Sequence, residues 1–452
     1  MVRQFGKYIG TCKLGIQVAP TLRILSLRRL PAFLRCSLAC CLLALSACTS
    51  SQALPQEEAL RYKKSRFGVS KEFTMKQGID SVVKKLDLVH SAGIRWRRPN
   101  LNWRKYEANP SLYDQAILEA NKRGICLAMM IAGWYAVVPG INYQDIKEKR
   151  SLEAYKAFVA AVVERYDGDG IDDAPGSPLV RFYQIGNEIN GQKHFWRRRD
   201  GKPGPASEYV KVLKISYETI KAKNPEIQVI LGSLGAEDRG NYLRKLLDAG
   251  AGKYFDVLDF HIYHPYKDFY RIIVEEDRVG RFIRLLAKYG IKKPIWVTET
   301  AEPSGGKKQF SELTQATNLL KRNVILMAMG VEKVFTHLFN TRPGQKSGRE
   351  AHRGLLHYDT TPKLAFQAYK VMTRKIDYCQ SVSMASHGAA EIATCRFSKD
   401  REVYVMWGKS GSTVNLGTGK IRVTDIYGKE TIGDAEAVRL TEVPIFVEKV
   451  HK

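Results

Sequence analysis

The first 47 residues contain no acidic side chain, although they carry Arg3, Lys7, Lys13, Arg23, Arg28, Arg29 and Arg35. They end in the short apolar run Leu38–Ala47, which falls short of the roughly 20 apolar residues a membrane-spanning helix needs. A basic lead followed by a brief apolar core reads as an export signal, not as part of the fold. Cysteine is also scarce beyond it. Of eight cysteines, Cys12, Cys36, Cys40, Cys41 and Cys48 belong to this leader or its end, so only Cys126, Cys379 and Cys395 remain and at most one disulfide can form among them. No zinc-finger spacing, RNP-like aromatic motif or heptad-linked basic region occurs, which removes the usual nucleic-acid modules. There is no internal repeat. No glycine-rich nucleotide fingerprint follows the first predicted strand.

What is present is positive charge. The chain has 72 Lys and Arg against 46 Asp and Glu, a net +26. Without residues 1–47 it keeps 65 against 46, still +19. Such a field favours acidic partners: anionic lipid headgroups, acidic or phosphorylated glycans, or nucleic acid, with a generally basic envelope protein as the plain alternative. Leu45-Ser46-Ala47-Cys48 resembles a bacterial lipobox, so Cys48 is expected to carry a lipid after cleavage. An ordinary secretory signal that happens to end in cysteine is the other reading. Residues 48–64, polar and aperiodic, read as a tether.

From residue 65 onward, short β-like apolar runs alternate with helical periodicity, the pattern of parallel βα units. The expected strands are Arg66–Ser70, Gly93–Arg98, Ile125–Ile131, Arg181–Gly186, Ile227–Leu231, Val257–Tyr263, Ile295–Thr298 and Lys333–Leu338. Between them Ile79, Val82, Val83, Leu86 and Val89 recur at helical spacing, as do Tyr155, Phe158, Val159, Val162 and Tyr166. Eight such strands predict an α/β fold, a closed (β/α)8 barrel over 65–375, with an open doubly wound sheet as the alternative. After Asp377 the pattern changes to Glu402–Trp407, Lys420–Tyr427 and Val443–Val447 separated by Gly, Ser and Asp, which predicts a small antiparallel β-sandwich over 376–452. Leu440–Val447 would supply its last strand. Cys126 reads as a small buried hydrophobe. Cys379 and Cys395 flank a turn at Ser386-His387-Gly388 and are expected to face each other across a hairpin as a disulfide.

In such a barrel, chemistry sits at the C-terminal strand ends. The fourth strand ends Gln184-Ile185-Gly186-Asn187-Glu188, the sixth ends Phe260-His261-Ile262-Tyr263-His264, and the seventh ends Trp296-Val297-Thr298-Glu299. Glu188 and Glu299 form the pair that glycosidic cleavage requires, one carboxyl protonated to donate to the leaving oxygen and one ionised to attack the anomeric carbon. Each alone could be a salt-bridged surface group. Arg95 and Arg97 compete with Arg98 for an inward position, and alternation with Ile94 and Trp96 favours Arg98. His352, His357 and Asp359 lack the spacing of a zinc site. No metal or cofactor is called for.

These residues resemble those of clan GH-A glycoside hydrolases, most closely family 39, over about Arg66–Tyr369. Asn187-Glu188 matches the clan's Asn-Glu pair, and Ile-Trp-Val-Thr-Glu299-Thr matches its nucleophile strand. Phe195-Trp196 followed by Glu208–Leu213 resembles the loop and helix after that pair. Gly93–Arg98 with Trp103, and Asp256–Tyr263, resemble the second and sixth strands. The resemblance implies a retaining hydrolase with Glu188 as acid/base and Glu299 as nucleophile. It further implies that Asn187 contacts the sugar 2-hydroxyl, that Arg98 keeps the nucleophile ionised, and that His261 and Tyr263 stand beside it. Two positions depart: Ile189 stands where proline usually follows Asn-Glu, and Val334–Phe339 lacks the clan's tryptophan, the sugar-stacking floor.

For substrate, Trp134 and Trp196 could stack on pyranose faces, and Lys193, Arg197, Arg198, Arg199, Arg342, Lys346, Arg349 and Arg353 suit carboxylated or phosphorylated sugars. The expectation is a monomeric, periplasm-facing lipoprotein acting on an envelope polysaccharide or exopolysaccharide from within the chain. An exo-acting β-glycosidase or xylosidase on short oligosaccharides, or a silent polysaccharide-binding protein, is the alternative.

Overall fold

A computed structural model describes residues 62–70, 78–132, 150–191, 204–236, 238–305, 310–341 and 352–450. Cys48 and the leader, and most of the tether, lie outside these residues. No described helix is long and apolar enough to cross a membrane.

Eight parallel strands form the barrel, and a short ninth strand, Asn100–Asn102, pairs beside the third. The eight are β1 (Phe67–Ser70), β2 (Trp96–Arg98), β3 (Cys126–Ala132), β4 (Phe182–Ile185), β5 (Gln228–Leu231), β6 (Leu258–Ile262), β7 (Ile295–Thr300) and β8 (Lys333–Thr336). Their order is sequential, with β1 hydrogen-bonded to both β2 and β8. Bridges Ile230↔Val257 and Leu234↔Phe260 join β5 to β6 and complete the circle. A closed (β/α)8 barrel results, and each expected barrel strand is present at its place. The principal helices between strands are α1 (Gly78–Ser91), α2 (Ser111–Lys122), α3 (Leu152–Arg165), α4 (Ala206–Lys223), α5 (Asn241–Asp248), α6 (Arg278–Lys288), α7 (Glu312–Ala328) and α8 (Leu364–Ile376). The periodic residues do face inward: α1 buries Val82, Leu86 and Val89, and α3 buries Tyr155, Phe158, Val159 and Val162.

Large rings fill the barrel interior. Trp96 meets Trp296 at 5.1 Å and Phe182 at 5.0 Å between ring centroids, both edge-on. Trp96 donates its indole N–H to the carbonyls of Tyr62 and Ser65, and the Lys333 ammonium donates to those of Lys63 and Ser65. The segment before β1 is therefore held by the aromatic plug. On β2, Arg97, which competes with Arg98 for the inward position, is neither inward nor solvated: its side chain is buried on the outer face of the strand, and burial pushes its pKa down to about 10.

Beyond α8, β9 (Ser381–His387), β10 (Ala390–Ser398), β11 (Arg401–Gly408), β12 (Lys420–Thr424), β13 (Glu430–Asp434) and β14 (Ile445–Lys449) form an antiparallel sheet in the order β9-β10-β11-β14-β12-β13. A two-stranded ribbon, Thr413–Val414 with Val438–Arg439, covers one face over Ile392, Met406, Ile421, Leu440 and Val447. This is the small sandwich. Its last strand begins at Ile445, later than expected, since Pro444 has no N–H for the ladder. The strand expected to reach Tyr427 ends at Thr424, where Asp425–Gly428 turns.

The expected disulfide is not formed: Cys379 and Cys395 are buried free thiols. Cys395 pairs with Val382, whereas Cys379 lies ahead of β9, so the two do not oppose each other in the ladder. They share a hydrogen bond instead, which together with burial pushes the Cys395 thiol well above its ordinary range.

Gly232, just after β5, approaches the β4 backbone so closely that an added Cβ would lie 2.4 Å from the Ile185 carbonyl oxygen and 2.6 Å from Ile189 Cγ2. Gly232→Ala is expected to destabilise the fold by about 1–3 kcal/mol through overpacking. Calorimetric melting of the two chains checks this.

Candidate active site

The mouth of the barrel is organised by one cation. Arg98 follows Trp96 by two residues, so both point into the barrel, and its guanidinium is almost fully buried. It donates from Nη1 to Glu299 Oε1 at 2.7 Å, from Nη2 to Asn187 Oδ1 at 2.6 Å, and from Nε to Gln184 Oε1. Three strand ends, β2, β4 and β7, are thereby tied together by one side chain.

Simple alternation along β7 places Trp296 and Thr298 inward and Glu299 outward. The ladders on both sides of β7 slip there: between β6 and β7 the register passes from Asp259↔Trp296 to His261↔Glu299, one residue longer on β7. Such a bulge re-aims side chains, and here it brings Glu299 round beside Thr298. Glu188 reaches the mouth by another device. After β4, Gly186 takes φ 90° and Glu188 itself φ 43°, a left-handed conformation that costs a non-glycine residue about 1–3 kcal/mol. Neighbours over-determine it: Glu188 N–H donates to Ser233 Oγ at 3.0 Å, Ile189 N–H to the Ser233 carbonyl at 3.0 Å, and Gly191 N–H back to the Glu188 carbonyl at 2.7 Å. Ile189 uses a backbone N–H that proline lacks, which gives the departure at this position a structural role.

His261 bridges the two carboxylates. Its Nδ1 lies 3.0 Å from Glu188 Oε1 and 3.6 Å from Glu299 Oε2. One oxygen each of Glu188 and Glu299 and one His261 ring nitrogen lie within 4.8 Å of one another. Tyr263 donates its hydroxyl to Glu299 Oε2, and the Arg353 guanidinium lies over the Tyr263 ring at 4.3 Å. His337, at the end of the eighth strand that carries no tryptophan, binds Ser70 Oγ at 2.8 Å and approaches Glu299 Oε2 to 3.4 Å. A polar ring thus stands where the resemblance leads one to expect an indole.

Burial by itself would raise the Glu299 carboxyl, but His261, His337, Arg98 and the Tyr263 hydroxyl outweigh it and hold the group well below its ordinary value. Burial would likewise lower His261, yet Glu299 and Glu188 raise it. Beneath them lies Asp259, which accepts Gln184 Nε2–H at 2.7 Å, Thr298 N–H at 2.9 Å and the Thr298 hydroxyl at 2.6 Å. Burial pushes its carboxyl up to about 6, against the pull of His261 and Arg98. The Thr298 hydroxyl, having given its proton to Asp259, is left to accept from His261 Nε2 at 3.2 Å. His261 therefore keeps its proton on Nε2, and Nδ1 shares one with Glu188.

Of the sequence candidates, Glu188, Glu299, Asn187, Arg98, His261 and Tyr263 converge on this site, and Arg353 borders it. Trp134 and Trp196 lie outside the described residues, as do Lys193, Arg197, Arg198, Arg199, Arg342, Lys346 and Arg349. His357 is half-exposed beside Glu312 at 3.1 Å, away from any zinc geometry. Sequence reasoning missed Gln184, Asp259, Thr298 and His337. A signal existed for two of them: Gln184 and Asp259 are polar residues inside apolar strands, and Asp259 precedes His261 by two positions on the same face. Glu188, His261 and Glu299 could present three donors to a metal, but the Arg98 guanidinium already neutralises Glu299, so the set fits an ion pair better than a divalent cation.

Glu299, depressed in the fold, contributes stability that is fully present above its unfolded value of about 4.3 and is lost as pH falls through its folded value. Arg98→Met strands Glu299, Asn187 and Gln184 together. We expect a loss of about 3–5 kcal/mol at neutral pH, shrinking in acid as Glu299 takes up a proton. Denaturant melts at pH 7 and pH 3 check both magnitude and sign.

No protein-family model matches the chain, and no curated protein matches its sequence. Solved structures do match its fold. A family 39 glycoside hydrolase from Bacteroides cellulosilyticus WH2 superposes with a TM-score of 0.64 at 19% identity, covering 86% of this chain and 82% of its own. A family 39 β-xylosidase from Caulobacter crescentus gives 0.61 at 13% identity, covering 86% and 96%. A glucosidase from Croceicoccus marinus gives 0.60 at 14%, with the same coverages. The chain shares their barrel with its added sandwich.

Proposed function

We propose that this chain is a retaining glycoside hydrolase, with Glu299 as nucleophile and Glu188 as general acid/base. The observation that carries this reading is two carboxylates at one strand-end mouth, with oxygens within 4.8 Å, of which Glu299 is held ionised by His261, His337, Arg98 and Tyr263. Close approach of the two carboxylates suits double displacement, in which the carboxyls stand about 5–5.5 Å apart.

Glu299, ionised and aimed by Arg98 and Tyr263, attacks the anomeric carbon. Glu188 gives the proton it shares with His261 to the leaving oxygen, and the glycosyl ester forms on Glu299. In the second half, Glu188 withdraws a proton from water, which displaces Glu299 and releases the sugar with its configuration retained. Asn187 is placed by Arg98 and by Ser233 Oγ at 3.3 Å, which leaves its amide NH₂ to meet the sugar 2-hydroxyl. Ordering by Asp259 and Thr298 matters because it decides which His261 nitrogen carries the proton, and so what Nδ1 presents to Glu188.

For substrate we propose an acidic envelope polysaccharide or exopolysaccharide, cut within the chain by an enzyme anchored through lipid on Cys48 and facing the periplasm. The net +19 after the leader supports an acidic polymer. His337 and Arg353 at the mouth support polar over purely stacking recognition of the bound sugar.

Size distributions of extracted acidic exopolysaccharides, before and after incubation with the purified chain, test this. Wild type should shorten the polymer, while Glu188→Gln and Glu299→Gln should each lose at least about 10²–10⁴-fold in rate. Release of single sugars would indicate exo action, and binding without cleavage would indicate a non-catalytic glycan-binding protein.

The pH profile provides a separate check. As pH falls through about 6, Asp259 takes a proton and donates to the Thr298 hydroxyl, reversing the order that fixes His261. The rate should fall with it, along an acid limb near 6. Asp259→Asn mimics the protonated form and should be slow throughout, without that limb.

A further inference from the structure

Away from the mouth, the connection from α3 to β4 contains Asp167-Gly168-Asp169-Gly170-Ile171-Asp172-Asp173, a run of acidic residues for which the reading above has no use. It enters β4 at the end opposite Glu188. One oxygen from each of Asp167, Asp169 and Asp173 lies within 4.8 Å of the others. Three carboxylates so close repel one another, and the nearby Lys223 ammonium, whose attraction reaches Asp167, is itself held by Glu164 at 2.5 Å. Backbone amides satisfy part of the cluster, Gly168 and Gly170 N–H donating to Asp173 at 3.2 and 2.8 Å and Ile171 N–H to Asp169 at 2.8 Å.

Asp167 is the informative member. The residue is more than nine-tenths buried; its carboxylate accepts the Asp169 backbone N–H, while its Oδ1 is a buried oxygen with no hydrogen-bond partner among the described residues. A buried anionic oxygen with no donor is strongly unfavourable unless a cation meets it.

We propose that Asp167, Asp169 and Asp173 hold a calcium ion. The donors are all oxygen, which excludes softer metals by preference, and the irregular loop suits the flexible six to eight oxygens of calcium better than the strict octahedron of magnesium. Backbone carbonyls and water complete the shell. The ion would fasten the end of α3 to the entry of β4, where Ala174 N–H already donates to the Arg165 carbonyl and Val180 N–H to that of Tyr166. Its role is to stabilise the strand whose far end carries Asn187 and Glu188.

The full chain, stripped with EDTA and desalted, is titrated with CaCl₂ by calorimetry, and with Tb³⁺ by ring-sensitised luminescence, Tyr166 being adjacent. One Ca²⁺ per chain is expected, with a Kd of roughly 10⁻⁴ M or tighter and a higher melting midpoint. Asp169→Asn and Asp173→Asn should each weaken binding by about 10-fold or more, and Glu299→Gln should leave it unchanged. No Ca²⁺ or Tb³⁺ binding at millimolar metal would overturn the proposal. So would binding that survives Asp169→Asn but is lost in Glu299→Gln, since the ion would then sit at the barrel mouth. Should Asp169→Asn fail to fold, wild type and Glu299→Gln still decide between these outcomes.

Discussion

Everything at the barrel mouth depends on the buried pair of Arg98 and Glu299. A guanidinium without water must have its donors met, and here they are met by three oxygens from two other strands, Gln184 on β4 with Asn187 just after it, and Glu299 on β7. The same contacts keep Glu299 ionised in a site where burial alone would protonate it. Arginine suits this position because its planar fork reaches several acceptors at once and does not give up its charge, whereas a lysine would offer a point charge that burial can neutralise.

Around that pair two backbone irregularities do the positioning. The bulge in β7 turns Glu299 inward, and the left-handed turn at Glu188 bends the end of β4 toward it. His261 then stands between the two carboxylates, with its tautomer fixed from below by Thr298 and Asp259. Strain at Glu188 is held by Ser233, which ties its amide and that of Ile189 to the next strand end. Proline at 189 would give up one of those ties, so Ile189 belongs to a version of the turn that is held by hydrogen bonding.

The barrel was legible because parallel strands buried on both faces are short, nearly continuous apolar runs, and because α1 and α3 bury the residues their periodicity marks. The residues that end those runs were legible for the same reason, since a polar group after an apolar strand stands out. Less legible was anything set by register. Glu299 points outward by alternation, and only the bulge reverses it. Cys379 and Cys395 flank a hairpin in sequence, but the ladder sets Cys395 opposite Val382. Arg97 looks like a surface charge until the helix layer covers it. His337 is the clearest case of a missed residue: the absence of tryptophan in the eighth strand was visible, whereas the histidine that points at Glu299 in the same strand is recognised only through its distances to Ser70 and Glu299.

The proposed hydrolysis requires Glu299 to form a covalent bond to the sugar. This requirement is tested most directly by the intact mass of the Glu188→Gln variant after exposure to a panel of aryl glycosides. Their leaving groups need no acid, so the first step proceeds while the second, deprived of its base, stalls. A mass gain of one glycosyl unit that maps by peptide digestion to Glu299 is expected. Turnover of any of these glycosides with inverted configuration and no adduct, or an adduct on another residue, would contradict it.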